Sequence, residues 1–325
     1  MTAQLVTTLV PVAVAVAVGW LVPLLAAHAA VAANERRGRV TTNYRGRRVA
    51  LGLGWAWFAW SAGLVVPMLL HIFAPRWQEA RLLIGISGWV EPALLVLAVS
   101  LVGLADDLAG GGDVRGFGGH LGALSRGRVT TGALKLIGIG AFALLAAGSL
   151  AWERTTYRTM FAHGPVAGAS DVAYWLLAAA TIALSANLVN LTDLRPGRAL
   201  KVYAVLVVPA LAAVGLRVAT PAVPVSVGSI GVLAVLAIGP LLATWRLDVA
   251  ERGMLGDMGA NAAGALAGWL LARTLPLPAL AVAAAVLVAL NLGSERMSFS
   301  AVIEGNRVLR WLDMLGRPAV DRGGG

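Results

Sequence analysis

Long apolar runs alternate with short charged segments along this chain of 325 residues. The runs lie at about residues 5–33, 49–74, 82–105, 129–152, 172–192, 202–216, 224–245, 258–272 and 274–294. A helix needs roughly 20 apolar residues to cross the hydrocarbon core of a bilayer. The pattern therefore predicts an all-α fold, a polytopic integral membrane helical bundle with nine transmembrane helices, of which the sixth and eighth are short.

The composition agrees with a membrane protein and excludes several kinds of chemistry. Apolar residues make up 58% of the chain, charged residues only 13%, and the mean hydropathy is +0.79. The absence of cysteine excludes disulfides, thiolate zinc sites, iron–sulfur clusters and a cysteine nucleophile. The net charge of +10 indicates anionic lipid or phosphate partners and no nucleic acid, because most of the chain is apolar enough to lie in lipid.

The distribution of basic residues predicts the orientation. If the N-terminus is outside, 20 of the 26 lysines and arginines fall in inner segments. The positive-inside rule then gives an N-out, C-in topology in the cytoplasmic membrane. We expect a transmembrane catalytic bundle over residues 1–294 and a cytoplasmic C-terminal helix and tail over residues 295–325.

Polar side chains gather at the predicted cytoplasmic ends of three spans. They are Asp106 and Asp107 after the third span, Asn187, Asn190 and Asp193 at the end of the fifth, and Asp257 at the start of the eighth. Such groups are costly in lipid, so they indicate a wet or protein-lined cleft. Oxygen ligands without cysteine favour Mg²⁺. Taken singly, each cluster also fits a solvated helix end with a capping residue.

The chain has two lysines, Lys135 and Lys201, and each lies one or two turns into a span from the same face. A lysine in that position can simply extend its ammonium to the interface. It can equally contact the phosphates of a substrate. The sequence leaves both interpretations open.

Three motifs together resemble one enzyme family. Asp106-Asp107-x-x-Gly, Asn187-x-x-Asn190-x-x-Asp193 and Gly256-Asp257-x-Gly259, in this order, are similar to motifs of the polyprenyl-phosphate N-acetylhexosamine-1-phosphate transferases. This group includes phospho-N-acetylmuramoyl-pentapeptide transferase and the UDP-GlcNAc:polyprenol-phosphate GlcNAc-1-phosphate transferases. The segment from Asn43 to Gly54, which contains Arg45, looks like the first cytoplasmic loop of that family.

The resemblance implies an activity at the cytoplasmic face of the membrane. A member of this family transfers a sugar 1-phosphate from a UDP-sugar to a polyprenyl phosphate and releases UMP. It requires Mg²⁺, for which Mn²⁺ is the alternative. The expected partners are the UDP-sugar donor, the polyprenyl phosphate acceptor and membrane lipids, and a homodimer is left open.

The resemblance also assigns roles by position. Asn190 and Asp257 match the metal-holding residues, and Asp106 and Asp107 match an aspartate pair that we assign to acceptor activation. Together with Asp257 that pair forms the expected catalytic set. The expected substrate- and phosphate-binding residues are Arg45, Lys135, Asn187, Asp193, Arg195, Arg198 and Lys201.

Two departures from the family pattern stand out. After Asp193 the chain carries Arg195, Arg198 and Lys201 where the cell-wall enzymes carry a second aspartate, so we expect a different nucleotide or sugar contact. The family's late histidine-rich loop and last span are missing. In their place, residues 298–317 read as an amphipathic helix that either lies on anionic lipid or places Arg307 and Arg310 over the donor.

Two other classes of protein compete with the enzyme. A transporter would carry its ionisable residues near the bilayer midplane on related repeats, whereas here they lie at one face. An inactive member of the family could bind lipid as a scaffold, because a fold does not guarantee activity. The intact Asp106, Asp107, Asn190, Asp193 and Asp257 favour the enzyme.

Overall fold

The protein is a bundle of long helices whose ends alternate between two opposite sides. The computed structural model describes residues 12–73, 87–109, 126–127, 130–161, 168–218 and 227–317. The first seven positions of the first predicted span and the last eight residues of the predicted tail lie outside the described residues.

Nine long helices account for most of the described chain. They are α1 (Val12–Arg36), α2 (Gly54–Phe73), α3 (Val90–Ala109), α4 (Thr131–Phe161), α5 (Ala169–Thr192), α6 (Arg198–Val218), α7 (Val227–Val249), α8 (Gly256–Thr274) and α9 (Leu277–Arg296). A π-helical turn, Ala17–Leu21, interrupts α1, and a 3₁₀ turn, Ser87–Trp89, precedes α3. Two short helices follow, α10 (Phe299–Gly305) and α11 (Arg307–Met314).

Seven of the described helices are long and apolar enough to cross a membrane, namely α1, α3, α4, α5, α6, α7 and α9. This confirms a multi-pass helical membrane protein. In α2 the described apolar stretch is shorter and covers Gly54–Val66. The predicted number of nine spans stays a prediction.

Helix α8 differs from the others because protein surrounds it. Every residue from Met258 to Ala272 is buried, and α8 packs against α2, α3, α5 and α6. Its sequence is rich in alanine and glycine, and small residues let helix backbones approach closely. At Gly264 and Gly268 a Cβ would overlap the backbone of α5. One of the two short predicted spans is therefore the centre of the bundle.

A three-stranded sheet lies at one end of the bundle, and the all-α prediction did not include it. Strands β1 (Val40–Thr42) and β2 (Arg48–Leu51) form an antiparallel hairpin, and β2 pairs in parallel with β3 (Gly253–Met254). The Asn43 side chain closes the hairpin by accepting hydrogen bonds from the backbone N–H groups of Arg45 and Arg47. Gly46 supplies the left-handed conformation, with φ at 73°.

Candidate functional site

The end of α3 meets the start of α8 at the same end of the bundle. The backbone N–H groups of Asp257 and Met258 donate to the two carboxylate oxygens of Asp107, at 3.0 and 2.9 Å. The first N–H groups of a helix have no partner within the helix, and a carboxylate there also meets the positive end of the helix dipole. Asp107 therefore caps α8 and fixes Asp257 beside α3.

Gly103 permits this close approach. It lies one turn before Asp107 on α3, and a Cβ at this position would overlap the backbone of Asp257 and Met258. Only a glycine leaves room for the start of α8 here. The position of the aspartate motif on α8 is therefore set by backbone contact as well as by the cap.

Lys135 joins two of the predicted site carboxylates. Its ammonium lies 2.7 Å from Oδ2 of Asp106 and 2.8 Å from Oδ2 of Asp257. Lys135 and Asp106 are each 14% exposed and Asp257 is 28% exposed, so the three groups are open to solvent on one side only. Helices α3, α4 and α8 thus contribute one charged group each to a shared acidic cluster: Asp106, Lys135 and Asp257.

Asp193 connects the end of α5 to the start of α8, beside the acidic cluster. It follows the last residue of α5, and its Oδ2 accepts a hydrogen bond of 2.9 Å from the N–H of Gly256. Burial raises the pKa of Asp193 well above its ordinary value, and the nearby carboxylate of Asp248 raises it further. The Gly256 hydrogen bond opposes this shift without overcoming it. The surroundings of Asp193 therefore disfavour its charged form unless a cation lies beside it.

A cavity opens beside Asp193, between the hairpin and the segments that enter α6 and leave α7. Its space of about 260 Å³ is continuous with the solvent, and its polar lining comes from Asn43, Asp193, Arg195, Asp248 and Glu251. Asp248 accepts a hydrogen bond of 3.0 Å from the N–H of Gly197, so it also holds the turn that follows Asp193. The cavity therefore has acidic and basic groups on its walls.

Glu251 anchors the predicted first loop to this cavity. One of its oxygens lies 2.8 Å from the guanidinium of Arg45, and the other accepts from the amide of Asn43 at 2.9 Å. Glu251 has φ at 58°, an uncommon conformation for a residue other than glycine. Sequence reasoning missed Glu251 and Asp248. The charged run over residues 246–252, at the end of α7 and before the Gly256-Asp257 motif, was the signal that could have found them.

The basic residues after Asp193 do not join the acidic cluster. Arg198 is 3% exposed, and its Nε and Nη2 donate to the two oxygens of Asp313 on α11, at 2.9 and 3.1 Å. Lys201 donates to the backbone carbonyl of the same residue. Two of the predicted phosphate-binding cations are thus engaged with the C-terminal segment.

Arg195 is placed differently from Arg198 and Lys201. It lines the cavity, its guanidinium lies 4.8 Å from the ring centre of Tyr44, and it pairs with Glu304 on α10. Arg195 therefore lies beside Asp193 at the cavity, and its assignment to phosphate binding stays a prediction. It also links the hairpin to the C-terminal helices across the cavity rim.

The two asparagines of the middle motif have separate environments. The amide of Asn187 donates to Asn291 on α9 at 2.7 Å, and Asn291 also bonds the backbone of α5. This pair joins two helices. Asn190 is half-buried one turn before Asp193, and within the described chain no hydrogen bond links its side chain to Asp257.

The donors at the acidic cluster suit a hard divalent cation. They are carboxylate oxygens, and Asp257 keeps the largest exposed fraction among the three charged groups. Across the described residues no three acidic or histidine side chains surround a common point. Mg²⁺ often binds through one or two carboxylates and takes its remaining ligands from substrate phosphates and water. The residues present fit that mode of binding.

Neither a protein-family profile nor a curated protein sequence matches this chain. The resemblance to the polyprenyl-phosphate transferases stays a prediction from the three motifs and the loop described above. A functional assignment for this protein therefore depends on the geometry of the acidic cluster and the cavity.

Proposed function

We propose that this protein is a magnesium-dependent phosphotransferase that moves a sugar 1-phosphate from a UDP-sugar to a polyprenyl phosphate. The observation that carries the proposal is the convergence of Asp106, Asp107, Lys135 and Asp257 from α3, α4 and α8 at one end of a membrane bundle. These residues are up to 151 positions apart in the chain. If these residues only capped separate helix ends, nothing would require their side chains to lie together.

The location of the acidic cluster suits the two proposed substrates, a UDP-sugar and a polyprenyl phosphate. A UDP-sugar is soluble in water and a polyprenyl phosphate is confined to the bilayer, so their phosphates can meet only at the membrane surface. The acidic cluster lies at helix ends, and Asp193, which accepts a hydrogen bond from Gly256 beside Asp257, lines the solvent-open cavity. In the N-out orientation that the basic residues favour, this surface is cytoplasmic.

Each residue of the acidic cluster has its own proposed role in phosphoryl transfer. This reaction depends on positioning and charge neutralisation more than on covalent help from protein. Asp106 and Asp257 provide oxygen ligands, and Lys135 holds both in place and faces the phosphates. Asp107 positions Asp257 through the α8 backbone. Mg²⁺, or Mn²⁺ in its place, would supply charge neutralisation of the phosphates.

The donor would occupy the cavity side of the site. Arg195 lines the cavity and contacts the ring of Tyr44, and Glu251, which also lines the cavity, holds Arg45. A guanidinium matches the geometry of phosphate oxygens, so Arg195 is the cation we assign to the nucleotide diphosphate. The product is a polyprenyl-diphosphate sugar, and the leaving group is UMP.

The test is nucleotide release by the purified full chain in detergent with Mg²⁺, a polyprenyl phosphate and a panel of nucleotide sugars. We expect UMP from a UDP-sugar, and a loss of about 100-fold or more in Asp257→Asn, as for removal of one transition-state electrostatic contact. Glu153→Gln is the matched control, because it removes a half-exposed carboxylate at the opposite end of the bundle.

Both variants must elute as the intact protein for the comparison to count. Full activity in Asp257→Asn contradicts the assignment of the acidic cluster. Absence of nucleotide release with every sugar nucleotide, combined with uptake of a substrate into vesicles, contradicts the enzyme and supports a transporter.

A further inference from the structure

The helix α11 is attached to the protein by its polar side. Asp313 is 8% exposed, and the side chain of Arg317, which donates to it at 2.8 Å, is 2% exposed. With 3.6 residues per turn, Trp311 and Val308 lie about 160° and 140° around the helix from Asp313 and Leu312 about 100° from it, so all three side chains face away from that attachment. These three residues form what we call the outward face of α11, and they are 64%, 62% and 43% exposed.

This attachment is the reverse of the usual one. A helix on the surface of a soluble protein places its apolar side on the core and its polar side in water. Here the bonds to Arg198, Arg317 and Lys201 hold the polar side, and the apolar side points away. Burial of Asp313 acts to raise its pKa, but the three cations outweigh it and hold the pKa below the ordinary value. The carboxylate is therefore charged at neutral pH, and the attachment is intact.

The position of α11 indicates what covers its outward face. Arg198 is the first residue of the membrane-spanning helix α6, and Lys201 lies in the first turn of that helix. Because both bind Asp313, α11 lies at the level where a spanning helix begins. That level is the headgroup region of a bilayer, where amphipathic helices bury an apolar face by about 5–10 Å.

The charges around the outward face favour anionic lipid. Arg307 and Arg310 are exposed, and neither forms an ion pair with any residue in the described part of the chain. Near a negatively charged leaflet each exposed basic residue adds to the attraction of the protein to the membrane surface. The acidic residues of the same segment, Glu304 and Asp313, are already paired with Arg195 and Arg198.

We propose that the outward face of α11 docks into the headgroup region of a bilayer that contains anionic phospholipid. The docked helix then joins the membrane surface to the segment after Asp193 through Asp313 and Arg198. This inference is independent of the transferase reaction. It depends only on the outward face of α11, on the level at which α11 is attached to α6, and on the exposed side chains of Arg307 and Arg310.

Spin-label accessibility tests the docking directly. The chain contains no cysteine, so Val308→Cys and Trp311→Cys each provide a single labelling site in the full protein. Thr42→Cys on β1, which is exposed, gives the reference value for a label in water. Each labelled protein is placed in nanodiscs of equal parts phosphatidylglycerol and phosphatidylcholine, and in nanodiscs of phosphatidylcholine alone. The measurement is the ratio of collisions with oxygen to collisions with a water-soluble nickel complex.

In the anionic discs we expect a ratio several-fold higher at positions 308 and 311 than at position 42, and a lower ratio in the neutral discs. A nickel accessibility equal to that at position 42 would show that the face lies in water. Magnetic coupling between labels on two chains would show that a second copy covers it. An equal ratio in both kinds of disc would remove the requirement for anionic lipid. Each of these three results overturns the proposal.

Discussion

Lys135 is the residue on which the acidic cluster depends most. Its single ammonium is within ion-pair distance of both Asp106 and Asp257. Sequence reasoning treated this lysine as a phosphate ligand or as a group extended to the interface. The structure adds a third role, since without the ammonium two carboxylates would face each other with little solvent between them.

Replacing Lys135 should make the protein depend on a divalent cation for stability. Removing one partner of a buried ion pair typically costs about 3–5 kcal/mol, because the remaining charge is left uncompensated. We expect Lys135→Gln to unfold at a lower temperature than the wild type in detergent with a chelator. Mg²⁺ should restore most of the loss by taking the place of the ammonium between the carboxylates. Thermal unfolding with and without Mg²⁺ measures both effects.

Lys135→Arg is the control for this substitution, because it keeps the positive charge. Its stability in the chelator should remain nearer to that of the wild type. If Lys135→Gln gains no more from Mg²⁺ than the wild type does, the two carboxylates do not form a cation site.

At the scale of elements, the approach of α3 to α8 decides the geometry of the cluster. Two features act on the same contact: Asp107 satisfies the first N–H groups of α8, and Gly103 leaves space for the backbone that carries them. Because interiors are close-packed, an added methyl group here has to move one helix against the other. A shift at this contact moves Asp257 relative to Asp106.

Gly103→Ala should therefore reduce activity while the membrane fold remains. A displacement of about 1 Å can cost about 100-fold in rate when reacting groups must be aligned, and we expect a loss of that order. The matched control is Gly140→Ala on α4, where a Cβ meets nothing within 4 Å. That variant should keep full activity and gain about 0.5–1 kcal/mol, because alanine suits a helix interior better than glycine.

Nucleotide release and thermal unfolding of the two glycine variants give the comparison. Equal activity in Gly103→Ala and Gly140→Ala would mean that the contact between α3 and α8 tolerates movement. In that case the alignment of Asp257 would have to come from elsewhere.

At the scale of the whole molecule, all the functional features described lie at one end of the bundle. The acidic cluster, the cavity, the sheet and α11 share this end, and the exposed Ser170 at the start of α5 lies at the other. The excess of arginine and lysine in the segments on the cluster side predicts that this end faces the cytoplasm.

Labelling of single cysteines checks this orientation. We expect Ser170→Cys to react with a membrane-impermeant maleimide applied to intact spheroplasts, and Thr42→Cys to react only after the membrane is opened. Both positions are exposed, so a difference in reaction reports the side of the membrane. Reaction of Thr42→Cys in intact spheroplasts would reverse the topology and place the site outside.

Sequence periodicity predicted the helical membrane fold well, because an uncharged apolar run of spanning length is typical of a membrane helix. It did not predict the small sheet, since β3 has only two residues and pairs with a hairpin more than 200 positions away. Sequence periodicity also did not predict the pairing of Arg198 with Asp313. A charge pattern shows that a cation needs a partner but not whether that partner is a ligand or a distant helix.

The same limit applies to the site. The motifs placed Asp106, Asp107, Asp193 and Asp257 at the ends of spans, and the structure brings these ends together. The motifs could not separate Asp107, which binds backbone, from Asp106, which binds Lys135. The two aspartates are adjacent in sequence, and only the position of α8 in the fold determines which of them binds its backbone.

The cap that Asp107 provides has a consequence for biogenesis. It joins positions 150 residues apart, so the carboxylate has no partner until the segment that begins at Gly256 has been synthesised and inserted beside α3. A nascent chain that stops before this point holds Asp106 and Lys135 but no Asp257. The cluster can therefore be completed only after α8 has been synthesised and has packed against α2, α3, α5 and α6. Premature termination would leave an inert product instead of a partly active one.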